Sequence, residues 1–510
     1  DAKNTMTPEG ELENSHFTDN NISLKLGVKP FINHELKLDY QRFFAKDVGI
    51  PGGSAFPGPA TATYPQERRD MFSANYSIRF NNDFFRDINV KYYHQFILRD
   101  VELKPNAAVT ITPTGYHTTD GLQLQSTITP ASGHTLIAGI DLWQRNLETE
   151  REKTIVNPIT DPEGNVTGTT TKIVGEVPIP NALFASGGVF LQDEFKTMND
   201  KLKLILGGRF DIINIENDKA VDPLYIIVDG NRNNEPPNQR ITFDAENVTN
   251  YSWSANLGMI YDFTGNSDLT FNFSRAFRSP SIEERYKYIN LGASVNIGDP
   301  TLEPEEGYFF DFGIRHWGEK LHVRMNSFLN SMDNLIVAQP GEVIYGYSFD
   351  PVQQDTLPAL INANVDKALL YGFDITTEYN FYGGFVLFGN ASYVRGIDRI
   401  NETDLPLIPP FSSRLGIRYK DPQWFGAELS ANFVSNQDKI AEGEQETKGY
   451  ATYDFRVFSE ALPMGFANAR IFAGIDNVTN RAYINHLATN RGFIKYEPGR
   501  NFYFKLRFEF

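Results

Sequence analysis

Strict alternation of apolar and charged side chains marks the last segment of the chain. Between Arg500 and Phe510, phenylalanine and leucine share one parity, and tyrosine, lysine, arginine and glutamate occupy the other. A period of two is that of a β-strand, because successive side chains point to opposite faces of a sheet. The segment therefore predicts a strand with one apolar face and one largely ionisable face.

The same alternation recurs through much of the chain, and no convincing stretch with the helical period of 3.6 competes with it. Clear examples are Lys201–Ile212, Leu321–Leu329, Tyr371–Phe381, Phe425–Phe433 and Tyr453–Val457. The sequence thus predicts an all-β chain of about nineteen strands. Each runs ~10–14 residues, which suits a tilted crossing of a bilayer.

The predicted connections alternate between short and long. Short polar or glycine-bearing ones lie at 30–33, 81–83, 131–133, 198–200, 264–266, 317–319, 382–384, 421–423 and 461–464. Long ones lie at about 46–68, 101–116, 149–182, 218–246, 278–304, 336–358, 398–410, 437–447 and 478–499. A propeller or sandwich has no reason to sort its loops in this way, whereas a transmembrane antiparallel β-barrel has tight turns at one end and long loops at the other.

Composition excludes several other classes of protein. The chain has 510 residues, a net charge of −17 and no cysteine. The acidity disfavours nucleic-acid binding, and the lack of cysteine excludes disulfides, thiolate metal sites and a cysteine nucleophile. No apolar run is long enough for a transmembrane helix. No G-x-S-x-G, P-loop or HExxH motif is present, so we predict no enzyme.

An odd number of strands does not close a single-chain bacterial barrel, which has an even number. Because the last predicted strand follows a long loop, the first, at about Asn21–Val28, is expected to run from the long-loop side. We therefore expect further strands upstream of this chain. A barrel closed by pairing the first strand with Asn501–Phe510 would contradict that expectation.

Motifs in the second half of the chain indicate a family. Phe277-Arg278-Ser279-Pro280, then Ile282-Glu283-Glu284-Arg285-Tyr286, then Gly298 to Glu305 resemble the "FRAP…LxELY…GNPxLxPE" signature of TonB-dependent outer-membrane receptors. Weaker matches are Tyr371–Asp374, Leu407–Pro410, Gly474–Asn480 with Tyr483, and Pro498–Phe502 with the terminal Phe510. Each motif is weak alone, but their order over residues 270–510 makes the resemblance specific.

The resemblance implies a barrel of the 22-stranded type with an N-terminal plug inside it, of which residues 1–510 would be a barrel portion lacking the plug and the TonB box. It implies a location in the bacterial outer membrane and import of a scarce ligand, with a ferric siderophore expected first and haem or cobalamin as the alternatives. The implied partners are outer-membrane lipid and lipopolysaccharide, the TonB energy-coupling complex through the missing plug, and the small-molecule ligand, with no nucleic acid and no resident cofactor or metal. A passive pore is the alternative from another class.

The segment from Phe277 to Glu306 is the first place to look for function. Ligand-binding candidates there and in later loops are Arg278, Glu283, Arg285, Tyr286, Tyr345, Tyr347, Tyr483, His486 and Arg491. The family signature rests on Phe277, Pro280, Asp299, Pro300, Leu302, Pro304, Glu305 and Phe510. A structural alternative stays open, in which the prolines and Asp299 set turns and Arg278 forms an ion pair inside the wall.

Histidine bears on the haem alternative, because neutral imidazole binds metals. The segment from Phe277 to Glu306 contains no histidine, whereas His16, His117 and His486 fall in other predicted loops. We predict His486, near Tyr483 and Arg491, to be the best axial-ligand candidate, with an ordinary solvated histidine as the simpler alternative.

Overall fold

The computed structural model describes residues 2–51, 61–237, 239–290, 295–341, 359–421, 423–491 and 496–509. Within these ranges it is almost entirely β. The sequence candidates Tyr345, Tyr347 and Phe510 and the side chain of Arg491 lie outside the described part. No helix in the described ranges is long and apolar enough to cross a membrane.

Nineteen long strands form the wall of the fold in the described residues, which is the number expected from the alternation. We number them β1 (Thr18–Val28), β2 (His34–Ile50), β3 (Thr61–Arg79), β4 (Phe85–Asn106), β5 (Val109–Ile128), β6 (His134–Thr160), β7 (Ala182–Thr197), β8 (Leu202–Asn217), β9 (Glu246–Asp262), β10 (Ser267–Arg278), β11 (Glu305–Trp317), β12 (Leu321–Gly341), β13 (Ala359–Tyr382), β14 (Phe385–Asp398), β15 (Ser412–Lys420), β16 (Phe425–Val434), β17 (Tyr450–Ser459), β18 (Asn468–Asp476) and β19 (Asn501–Glu509).

Further elements, most of them short, lie in the connections between the wall strands. They are the strands Thr5–Thr7, Gly10–Leu12, Val166–Glu176, Ala220–Asp222, Tyr225–Val228, Asn231–Asn233, Arg240–Phe243, Tyr288–Asn290, Val295–Ile297, Thr403–Asp404 and Leu462–Pro463, the helix α1 (Ile282–Arg285) and a 3-10 helix, His486–Arg491. Seven of these additional strands join the wall in one 26-stranded sheet.

Each wall strand pairs antiparallel with its neighbour in the chain, from β1 with β2 to β18 with β19. Within the described residues, no register joins β1 to β19, so these two strands are the edges of the sheet. Both edges are exposed along nearly their whole length, with Leu24 62% and Phe502 69% exposed. Edge strands carry unpaired backbone hydrogen-bonding groups, which can pair with another strand.

The two faces of the wall have opposite chemistry, as the alternation predicts. On β8, Leu206 and Phe210 are exposed on the outer face. Arg209 and Asp211 lie on the inner face, where the Arg209 guanidinium bonds the Asp211 carboxylate and reaches Asp141 on β6 at 3.3 Å. An apolar outer face and a polar interior are what a membrane barrel requires.

The ends of the wall differ as predicted, with corrections at the long-loop end. The connections at the short-turn end are short, for example at 80–84 and 383–384. At the other end, the predicted long loop at 101–116 is wrong, because β4 continues to Asn106 and β5 resumes at Val109. The predicted loop at 149–182 is also wrong in large part, since β6 runs to Thr160 and pairs with Val166–Glu176.

The physical reason for these corrections lies in the side chains of the extended hairpins. Outside a membrane, both faces of a sheet can be polar, so the apolar alternation that predicts a strand disappears. The β-branched threonine, valine and isoleucine residues of 153–174 still favour extended backbone. The strands therefore continue beyond the apolar belt as a projecting sheet.

Candidate functional site

The segment that follows β10 begins with a tightly built turn. Pro280 is fully buried, and Ser281 caps the helix α1. The Ser281 hydroxyl accepts from the Glu284 backbone N–H at 3.1 Å, and the Glu284 carboxylate accepts from the Ser281 N–H at 2.8 Å. This reciprocal capping box satisfies two backbone donors that a helix start leaves open.

Arg285 binds the two halves of the segment together. Its side chain is 2% exposed and donates to the backbone carbonyls of Pro300 and, at 2.7 Å, Leu302. Burial lowers the pKa of the Arg285 guanidinium. Asp299 sets the turn before these carbonyls by accepting from the Thr301 N–H and hydroxyl at 2.8 and 2.6 Å.

Tyr286 anchors the segment in an apolar cluster on the inner side of the wall. It is 0% exposed and makes an edge-to-face contact with Phe243, with centroids 5.8 Å apart. The cluster includes Ile215 on β8 and Ile282 on α1. Burial, followed by the charge of Glu246, raises the pKa of Tyr286 to about 12, so its hydroxyl is neutral at physiological pH.

An ion-pair network at the end of β10 closes the segment. The Arg278 guanidinium donates to both oxygens of Glu305, at 2.6 and 2.7 Å, and to both oxygens of Glu284, at 2.7 and 3.0 Å. Glu305 is 6% exposed and also accepts from the Ile336 N–H at 2.8 Å.

The other signature residues have structural positions. Phe277 packs against the cluster that holds Tyr286, and Leu302 is buried. Pro304 directly precedes β11, where its fixed φ is tolerated.

The carboxylate of Glu284 makes this network sensitive to acid. Burial alone raises its pKa, but the hydrogen bonds from Arg278 and Ser281 outweigh that effect, and the net pKa lies below the ordinary glutamate value. A depressed pKa contributes stability that is present above the unfolded-state pKa, ~4.3, and is lost as the pH falls through the folded-state value. We expect hydrogen exchange of α1, corrected for intrinsic rates, to accelerate as the pH falls below about 4. Glu284→Gln should abolish this pH dependence, and an unchanged dependence in that variant would contradict the assignment.

Glu283 points from the same segment towards a cavity on the inner face. Its carboxylate accepts from Arg145 on β6 at 2.8 Å. The adjacent cavity of about 270 Å³ is lined by Glu283, Arg99, His117 and Arg151 and by apolar groups that include Leu103 and Ile179. The Arg145 Nε is buried without a partner.

His117 also lines this cavity, although the sequence pointed to His486 as the better axial-ligand candidate. The prediction that it lies in a loop is wrong, because it sits within β5, opposite Ile97 and Leu147. It shares the parity of Gln123, whereas the exposed Leu122 and Leu124 occupy the other, so the ring faces inwards. Among the described residues, its ring makes no hydrogen bond. Strand parity on β5 could have identified it, had the strand been predicted to extend this far.

The later loop candidates lie apart from the Phe277–Glu306 segment. Tyr483 stacks on Tyr450 with centroids 4.2 Å apart, and burial followed by Glu497 raises its pKa to about 12. His486 is 2% exposed, with its Nδ1 3.3 Å from the Thr447 hydroxyl. Arg491 ends the 3-10 helix that His486 begins. The roles of all these residues towards a ligand stay predictions.

The carboxylates around the segment have local partners. Glu303 accepts from Asn334 at 3.2 Å, and Glu306 pairs with Arg275 at 2.7 Å. Across the part of the chain that the structure describes, no group of three or more histidine, aspartate or glutamate side chains is arranged to hold a metal ion.

Known proteins of one family resemble this chain in sequence. The family model "TonB dependent receptor-like, beta-barrel" matches residues 15–478. TonB-dependent heme receptor A of Haemophilus influenzae (strain 86-028NP) is 26% identical over 363 residues, 65% of this chain and 46% of that protein. The chain thus spans about half the length of that curated relative.

Solved structures of such receptors share the fold. The copper transporter OprC superposes with a TM-score of 0.79 at 16% identity, over 99% of this chain and 74% of that one. The ferric yersiniabactin uptake receptor FyuA from Yersinia pestis gives a TM-score of 0.65 at 14% identity, over 100% and 74%. These identities support the fold alone. With the family model matched across residues 15–478, the chain belongs to the β-barrel family of TonB-dependent receptors, a family of outer-membrane proteins.

Proposed function

We propose that this chain is the barrel portion of an outer-membrane receptor that binds a scarce iron chelate, with a ferric siderophore as the first candidate, and imports it with TonB-coupled energy. The observation that carries the proposal is the family match across residues 15–478. Two structural features support the proposal. The connections are short at one end of the wall and long at the other, which orients the long-loop end to the outside. The segment held inwards by Arg285 and Tyr286 adds ordered structure at that end.

We further propose that additional strands and a plug complete the working receptor. The support is the pair of exposed edges, β1 and β19, whose backbone groups need partners in an apolar environment. The plug would provide the contact with the TonB complex, and the apolar outer face would contact outer-membrane lipid and lipopolysaccharide.

Haem is the second candidate ligand, and cobalamin is the third from the same family. The haem alternative is favoured by one structural observation, the inward-facing His117 in the cavity beside Glu283. Its imidazole is a suitable iron ligand, and Arg99 and Arg145 lie near enough to interact with carboxylates. The haem receptor of H. influenzae among the relatives adds to this support.

Titration of the full receptor in detergent tests the function. Ferric citrate, a ferric catecholate, haemin and cobalamin are added separately, and tryptophan quenching and calorimetry are recorded. We expect one ferric ligand to bind with a Kd in the micromolar range or below. If haemin is that ligand, His117→Ala should weaken it about tenfold or more, equivalent to ~1.4 kcal/mol. His322→Ala, an inner-face histidine near the short-turn end, is the matched control and should bind normally.

Two outcomes would contradict the proposal. Failure of every one of these ligands to bind would direct attention to peptide or glycan import. Steady open channels from the full receptor in a planar bilayer would instead indicate a passive pore.

A further inference from the structure

Three basic side chains lie together on the outer face of the wall, where most neighbours are apolar. They are Arg42 and Lys46 on β2 and Arg68 on β3. Arg42 pairs in register with Asp70 on β3, and one step towards the short-turn end Tyr40 pairs with Phe72, which is 38% exposed. On the other side of Tyr40 lies Leu24 of β1, 62% exposed. The basic residues therefore lie on the same face of the wall as these exposed apolar side chains, next to them along the strands.

The height of these residues along the wall places them at one boundary of the membrane. Arg68 lies eleven residues from Arg79, where β3 meets its short turn. With a rise of ~3.3 Å per residue and a tilt of ~40°, Arg68 is about 28 Å above that turn. The apolar band of such barrels is ~25 Å tall. The cluster thus lies at the headgroup level of the outer leaflet.

Asp70 is the carboxylate that organises the cluster. It accepts from the Arg68 Nε and, at 3.0 Å, from the Tyr40 hydroxyl, and it lies 3.6 Å from the Arg42 Nε. The two arginine side chains nevertheless stay 40% and 36% exposed, and Lys46 is exposed. Two carboxylates of the outer face lie beside these three cations: Asp70, and Asp100, which pairs in register with Gln66. The cluster therefore keeps an excess of positive charge in a chain whose net charge is −17.

Aromatic rings support the cations from the membrane side. The Arg68 guanidinium lies 5.6 Å from the centroid of Phe96, and the Lys46 ammonium lies 5.4 Å from that of Phe44. These contacts fix the side chains at the interface while their polar heads stay available to a headgroup.

Other outward-facing arginines at this level are already neutralised. Arg275 is 7% exposed, lies over the Trp253 ring at 4.1 Å and pairs with Glu306 at 2.7 Å. Arg395 pairs with Asp404 at 2.7 Å, and its side chain is 19% exposed. The cluster on β2 and β3 differs from both because it keeps an excess of accessible positive charge.

We propose that Arg42, Lys46 and Arg68 form a binding site for the phosphate groups of lipid A in lipopolysaccharide. Guanidinium and ammonium groups suit phosphate oxygens, and lipopolysaccharide is the phosphate-bearing lipid of the leaflet that faces the long-loop end. The site specifies where the lipid partner of the proposed function binds, and it rests on the proposed placement in the outer membrane.

The experiment uses the full receptor, freed of lipid in detergent, with lipopolysaccharide, its dephosphorylated form and phosphatidylglycerol as probes. Binding is measured by native mass spectrometry and by the shift of the thermal transition. The variant Arg42→Gln/Lys46→Gln/Arg68→Gln should bind lipopolysaccharide at least about tenfold more weakly. Arg69→Gln is the matched control, because Arg69 is the neighbour of Arg68 on the inner face and bonds Gln95; it should bind lipopolysaccharide normally.

A second variant distinguishes the loss of positive charge from a failure to fold. Arg42→Lys/Arg68→Lys keeps the charge and should retain lipopolysaccharide binding. Dephosphorylated lipopolysaccharide should bind the natural protein weakly, with about the affinity that the triple variant has for the phosphorylated form. Equal lipopolysaccharide binding by the triple variant and the natural protein, or equal binding of phosphatidylglycerol and lipopolysaccharide, would overturn the site. Titration with the ferric ligands separates the two proposals. The lipid-site variants should bind the ferric ligand as the natural protein does. If the natural protein binds no ferric ligand, that result counts against the receptor function alone.

Discussion

Tyr286→Ala is expected to release the segment between β10 and β11 from the wall. The Tyr286 ring is completely buried in the cluster with Phe243, Ile215 and Ile282. Removing a buried aromatic side chain costs about 3–5 kcal/mol. Exchange protection of residues 282–290 should therefore fall by roughly two to four orders of magnitude, as measured by hydrogen exchange and mass spectrometry.

Two controls separate the ring from the hydroxyl and from general effects. Tyr286→Phe should stay within about 1 kcal/mol of the natural protein, because the hydroxyl makes only a 3.5 Å contact with Glu246. Tyr382→Ala removes a tyrosine that is 81% exposed at the short-turn end, and should change stability by less than about 0.5 kcal/mol. Unchanged protection in Tyr286→Ala would mean that other contacts hold the segment.

Arg278→Met is expected to produce the second largest effect. It leaves the carboxylate of Glu305, 6% exposed, without its cation. Breaking a completely buried pair costs 3–5 kcal/mol, and because the Arg278 side chain is 46% exposed we expect about 2 kcal/mol here. The direct probe is the Ile336 amide, which donates to Glu305 and should lose protection.

The double variant Arg278→Met/Glu305→Gln tests the cause of that loss. It removes the unpaired charge and should recover about half of the lost stability. Arg278→Lys keeps the charge without the forked geometry, so its free energy of unfolding should lie between those of Arg278→Met and the natural protein. If the double variant is less stable than Arg278→Met alone, an uncompensated Glu305 charge is not the cause.

The wall was predictable from the sequence because the membrane imposes a simple pattern. On β8 and β19, lipid on one face and a polar interior on the other force apolar and ionisable side chains to alternate. The extended hairpins escaped prediction for the same reason. Beyond the apolar belt, a strand such as 149–160 no longer needs an apolar face, so only its β-branched residues indicated extended backbone.

The candidate segment was predictable as a location, but the direction of its side chains was not. Arg285 finds its partners at Pro300 and Leu302, and Tyr286 finds Ile215 and Phe243, across strands that only the fold brings together. These contacts give Arg285 and Tyr286 a structural role, which the sequence suggested only for the prolines, Asp299 and Arg278. His117 joins Glu283 in one cavity although they are far apart in sequence, a proximity that local patterns do not encode.

The absence of cysteine in the 510 residues permits a direct test of the orientation on which this account depends. Glu163→Cys places a single thiol in the connection between β6 and Val166–Glu176, and Asp83→Cys places one in the short turn between β3 and β4. A membrane-impermeant maleimide is applied to intact Gram-negative cells that export the receptor, and again after lysis. The account predicts labelling of Glu163→Cys in intact cells and of Asp83→Cys only after lysis. Equal labelling of both in intact cells, or the reverse pattern, would contradict it.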